Sequence, residues 1–144
     1  PQLVRERLLP ALASIADAYT TGTELGLAMR DDGLLRAGGP HLNATWMDAR
    51  IAAGPVTPRE GLPVEIQALW YSLLAFLGEH GETRFEPLRE RCGRAFVTAF
   101  WLPELGYLAD RVHAGGPDPK LRPNMLVAAA LARSPLSAPQ RRSV

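Results

Sequence analysis

Ile66, Leu69, Trp70, Leu73, Leu74 and Leu77 recur at spacings of three and four residues. That period belongs to an α-helix with one apolar stripe, and a stripe of this width must be covered by other elements. Gly78 or Gly81 supplies the stop. The same period returns in Phe85, Leu88, Cys92, Phe96 and Ala99, with Pro87 in the first turn and Thr83 with Glu86 as a candidate capping box. Val4, Leu8, Leu12, Ile15 and Tyr19 predict an earlier helix, which Pro10 either kinks or divides. Pro123 starts a short helix in RPNMLVAAALAR, and Ser137 begins a last one. Between Thr20 and Thr45 the helical period disappears. ELGLAMR, the turn signal DDG and the return LLRAG predict a small β-hairpin between helices. The predicted class is mainly α, with helices in hairpin succession and loops gathered at one end.

The 144 residues allow one domain with a sizeable core, and a hydrophobic fraction of 47% suits a soluble globular chain. A formal charge of +1, with arginines scattered among acids, gives no footprint for nucleic acid or an anionic membrane. No apolar run reaches the roughly 20 residues of a membrane span. Cys92 is the single cysteine, so an internal disulfide and a cysteine metal cluster are excluded. It reads as a core residue, and its solitude fits a reducing cytoplasm. His41, His80 and His113 lack metal-ligand spacing, and phosphate-loop and dinucleotide glycine patterns are missing, so neither a metal nor a nucleotide cofactor is expected. The chain opens on Pro1 rather than Met, which suggests a processed product or a piece of a longer protein.

The chemistry concentrates in TWMDARIAAGPVTPREGLPVEIQALWY, residues 45 to 71. Asp48 follows Trp46 in a loop flanked by Gly38, Gly39 and Pro40 on one side and Gly54 and Pro55 on the other. An indole face suits the apolar face of a sugar ring, and an adjacent carboxyl can protonate a glycosidic oxygen. Equally, Asp48 can serve as the N-cap of a short turn. Glu65 opens the best helix, where the helix dipole favours a carboxylate with or without a role in binding. Arg59 and Arg122 each adjoin a proline, a placement that holds a guanidinium toward hydroxyls or a carboxylate, or simply leaves it on the surface. Asn124 is either a ligand-facing amide or a first-turn helix residue. Asp110 falls in a helix-like stretch and reads as the partner of an arginine.

DGLL, TWMDA, VTPREGLPVEIQALWY and LRPN occur in that order, and the chain from about Leu8 to Arg133 resembles the amylo-α-1,6-glucosidase catalytic domain of glycogen debranching enzymes. TWMD followed by TPR-G-P-VE is the specific combination, and LRPN adds independent support. Met125 departs from the glutamine usual after RPN in bacterial and archaeal relatives. The resemblance implies a partial (α/α)6 toroid of the six-hairpin glycosidase type, with residues 1–144 as the central part of that domain and incomplete at both ends. It implies inverting hydrolysis of α-1,6-linked glucose at branch points of glycogen or a branched α-glucan, without a cofactor. The family's general acid maps onto Asp48, and Trp46, Arg59, Glu65, Arg122 and Asn124 sit in segments that line its sugar site. An inverting pair of carboxyls stands about 6.5–9.5 Å apart. The base of that pair is implied to lie downstream of this chain, so the chain alone is expected to be inactive. A half toroid also exposes apolar faces, the stripe from Ile66 to Leu77 above all, and self-association is expected. Two other readings stay open: a trehalase-like or glucoamylase-like toroid glycosidase, and a non-catalytic helical binding module.

Overall fold

The computed structural model describes residues 2–37, 42 and 44–144. Gly38, Gly39, Pro40 and His41, which the sequence places beside the aspartate loop, lie outside the described residues. The architecture is mainly α with short strands. A π-helical turn, Val4–Leu8, leads into α1, Leu9–Thr21, with Pro10 in the first turn. The proline thus marks the start of the second part of the predicted helix. The π turn has a longer repeat than an α turn and shifts the phase of the helix after it. Leu9, Ala13 and Ala16 are therefore buried, while Leu8 and Ile15, both assigned to the apolar stripe, are exposed.

The predicted hairpin is present. β1, Leu27–Met29, pairs antiparallel with β2, Leu35–Ala37, placing Leu27 opposite Ala37 and Met29 opposite Leu35. Gly33, at φ 87°, makes the turn in the left-handed region that a side chain disfavours. The hairpin is tied to α2, Val64–Glu79, by two side chains. Gln67 accepts from the backbone N–H of Leu35 at 2.7 Å and donates to its carbonyl at 2.8 Å, occupying the place of a neighbouring strand. Trp70 Nε1 donates to the Gly33 carbonyl at 3.0 Å. These bonds bury polar residues on the helix face, and α2 is consequently turned away from the orientation its stripe predicts. Val64, Ala68, Trp70, Leu74 and Leu77 are buried, whereas Leu69 is 50% exposed.

A 3₁₀ turn, Thr83–Phe85, precedes α3, Glu86–Phe100. The capping box expected of Thr83 and Glu86 does not form, because Glu86 accepts from Arg89 Nε at 2.7 Å instead. Leu88, Cys92, Phe96 and Phe100, four residues apart, form the buried face. Directly after α3, residues 101–118 form strands and turns rather than a helix, and short strands also precede α2. β3, Arg50–Ile51, with β4, Gly54–Pro55, makes a small ribbon just after Asp48. β6, Trp101–Leu102, pairs with β7, Tyr107–Leu108. β5, Leu62–Pro63, β8, Arg111–His113, and β9, Gly116–Asp118, form an antiparallel sheet in the order β5-β8-β9. Gly61 enters this sheet at φ 94°, and a Cβ there would collide with the Val112 carbonyl oxygen. α4, Asn124–Ala130, follows Pro123, and α5, Ala138–Ser143, starts from a complete Ser137–Gln140 capping box. Met125 is buried in the core cluster, where its thioether fills apolar space. Among the described residues no helix is long and apolar enough to cross a membrane.

Candidate active site

Asp110 lies in the extended chain between β7 and β8, not in a helix. Its backbone N–H donates to the Asp118 carbonyl at 2.8 Å, and its own carbonyl accepts the first N–H of α2, from Val64, at 3.1 Å. One residue thereby joins the three-stranded sheet to the start of the principal helix. A carboxylate at this depth, with 0% of the residue exposed, needs partners. It has three. Arg59 Nη1 and Arg122 Nη1 both donate to Oδ2, the latter at 2.8 Å, and Asn124 Nδ2 donates to Oδ1 at 2.7 Å.

The network extends outward from there. Arg59 pairs through its second nitrogen with Glu65, and both side chains are buried. Their formal charges, with those of Asp110 and Arg122, sum to zero, which is the condition for burying four ionisable groups together. Glu65 Oε1 and Arg59 Nε nonetheless have no hydrogen-bond partner among the described residues. Burial pushes the Glu65 carboxyl above its ordinary value, and the Arg59 charge pulling downward does not cancel that effect. Around the edge, Arg111 holds Glu60 at 2.8 Å and approaches Asp118 at 3.8 Å. Burial raises the Glu60 carboxyl, but the hydrogen bond from Arg111 and the backbone outweigh it and leave it below its ordinary value.

At the surface the cluster meets the tryptophan loop. Asn124 Oδ1 accepts from Trp46 Nε1 at 3.0 Å, and Asn124 Nδ2 also contacts Met47 Sδ at 3.4 Å. Trp46 is held at this edge, while 65% of the residue stays exposed. Asp48, two residues on, is exposed in the same loop. Arg59, Arg122 and Asn124 thus converge on Asp110, and Glu65 and Trp46 join them through Arg59 and Asn124. They divide by depth. Arg59, Glu65 and Asn124 are buried, the Arg122 side chain is 24% exposed, and Trp46 and Asp48 face solvent.

The sequence profile of the amylo-alpha-1,6-glucosidase family matches residues 2–144. The chain belongs to the amylo-alpha-1,6-glucosidase family. Comparison with curated proteins and with solved structures finds no match. That family is associated with glycogen-debranching glycoside hydrolases, and the TWMD, TPREGLPVE and LRPN segments are what the converging side chains come from. Sequence reasoning read Asp110 as the partner of an arginine, which it is, but set it in a helix-like stretch and did not identify it as the centre of the cluster. Its available signal was an acid directly after Leu108 and Ala109: a charge inside a buried apolar run must be paired.

Proposed function

We propose that this chain is the acid-bearing part of an inverting α-1,6-glucosidase that removes branch-point glucose from glycogen or a related branched α-glucan. In this reading it forms the central portion of an (α/α)6 toroid. Asp48 donates the proton to the glycosidic oxygen, and the exposed face of Trp46 receives the sugar ring. Arg122, partly exposed, reaches toward the sugar hydroxyls. Arg59, Glu65 and Asn124 support the site from beneath, since their buried side chains engage one another and Asp110. The observation that carries the reading is the anchoring of an exposed indole, beside an exposed aspartate, by a buried network that links all the other named segments.

A general acid works best where water is excluded and its proton is retained near neutral pH, and a sugar docked on the indole excludes water from Asp48. The inverting base comes from residues beyond this chain. Glu60, Glu65, Asp110 and Asp118, the acids around the cluster, are all engaged by arginines. Alone, the chain therefore binds glucan without hydrolysing it. Its outward α2 face, with Leu69 half-exposed and Ile66, Leu73 and Phe76 partly buried, drives self-association. The test is glucose release by the complete enzyme carrying this chain, measured on branched limit dextrin and on trehalose. Release from dextrin alone supports the proposal, and release from trehalose alone replaces it with a trehalase-like activity on the same framework.

A further inference from the structure

Asp110 stands at the root of a chain of hydrogen bonds whose direction is fixed at both ends. A carboxylate offers only acceptors and an indole nitrogen only a donor. Between them lies the amide of Asn124, which has one donor side and one acceptor side. With Nδ2 turned to Asp110 Oδ1 at 2.7 Å, its Oδ1 must face Trp46 Nε1, and the separation there is 3.0 Å. The opposite amide orientation sets oxygen against carboxylate and N–H against N–H, losing both bonds. The root itself cannot turn, because Arg59 and Arg122 hold Oδ2 and the backbone is fixed in the sheet at Asp118 and to α2 at Val64.

We propose that Asp110 is a positioning residue: through the amide of Asn124 it orients the indole of Trp46 and so sets the sugar platform beside Asp48. The proposal rests on the reading of Trp46 as that platform, but the orientation itself is measurable without any sugar. Asp110→Asn is the discriminating change. If the new amide keeps its oxygen toward the two arginines, it turns an NH₂ group toward Asn124. The Asn124 amide must then reverse to accept, and the Trp46 N–H loses its acceptor.

The experiment follows the indole N–H signals of the ¹⁵N-labelled 144-residue chain, wild type and Asp110→Asn, together with affinity for an α-1,6-glucosylated maltopentaose. Trp70 is the internal reference, since its N–H donates to the Gly33 carbonyl at 3.0 Å, in a bond separate from the Asp110 network. In Asp110→Asn the Trp46 N–H should move toward the free-indole position and lose exchange protection, while Trp70 does not move. Binding should weaken about three- to tenfold, the effect of one net hydrogen bond. In a Trp46→Phe background, which has no N–H to orient, Asp110→Asn should weaken binding no further. A Trp46 signal unchanged in folded Asp110→Asn overturns the proposal, as does an equal loss of affinity in the Trp46→Phe background. Should Asp110→Asn not fold, Asn124→Leu decides by the same signal, and an unmoved Trp46 N–H in that variant overturns it. If the wild-type chain binds no branched oligosaccharide while the Trp46 signal responds as expected, the relay stands and the platform reading fails.

Discussion

Arg59→Met removes the cation on which two buried carboxylates converge, and the structure fixes how large the loss should be. Breaking a buried ion pair by deleting one partner typically costs about 3–5 kcal/mol. Here the two carboxylates fare differently. Asp110 keeps Arg122 at 2.8 Å and Asn124 at 2.7 Å. Glu65 loses its arginine, and its Oε1 has no hydrogen-bond partner among the described residues. One stranded carboxylate rather than two places the expected loss at the lower end, about 3 kcal/mol, within the roughly 5–15 kcal/mol margin of a folded domain. The pH dependence carries a sign. In the wild type, burial holds the Glu65 carboxyl above its ordinary 4.5, so the folded state binds the proton more tightly than the unfolded chain does. Its contribution is present in full below that ordinary value and is lost as pH rises through the raised one. Without Arg59 the folded value rises further, so the variant should recover stability on acidification over a wider range than the wild type. Urea unfolding followed by tryptophan fluorescence, at about pH 7.5 and about pH 5, measures both effects. The deficit should shrink at the lower pH, and adding Glu65→Gln to Arg59→Met should restore part of it. A deficit under about 1 kcal/mol, the scale of a surface pair, or one equal at both pH values, would refute the account of the cluster.

Trp46→Ala should weaken binding of a branched oligosaccharide by about 1–3 kcal/mol, the range for one well-placed aromatic contact, with little change in melting because the indole is mostly exposed. Unchanged affinity with an early melt would make Trp46 a structural residue instead. The Cys92 thiol, pushed up to about 12 by burial, should resist a thiol reagent at about pH 8 until urea unfolds the chain, and rapid modification of the native protein would contradict that burial. Leu69→Glu on the outward face of α2 should shift the chain from self-associated to monomeric in sedimentation, whereas a monomeric wild type would remove the apolar-face argument.

Elements governed by local chemistry were legible in the sequence. Pro87 in a first turn, the Ser137 start and the DDG hairpin turn depend on nearest neighbours, and each lies where expected, while Pro10 takes the second of its two expected roles. The helix faces were less so. Gln67 and Trp70 turn α2 toward the hairpin through bonds to residues more than thirty positions away, which no local period encodes. WLPELGYLADRV looks helix-like by its apolar spacing, yet it forms strand pairs around Gly106, whose φ of 72° favours a turn over a helix. Trp46, Arg59, Glu65, Arg122 and Asn124 stood out as motif residues, whereas Asp110 stood out only as the partner of an arginine. Asp110 belongs to no motif singled out in the sequence, and its role arises from a tertiary convergence that pairs positions 51, 14 and 12 residues apart.

The central claim is that Asp48 gives up the proton in α-1,6-glucoside hydrolysis. Its most direct test is the initial rate of glucose release from branched limit dextrin by the complete enzyme, compared with its Asp48→Asn variant, with dextrin affinity measured in parallel. Loss of the acid should lower turnover by about 10²-fold or more and leave affinity nearly unchanged. Turnover close to that of the wild type would remove Asp48 from the mechanism and leave the tryptophan loop as a binding element only.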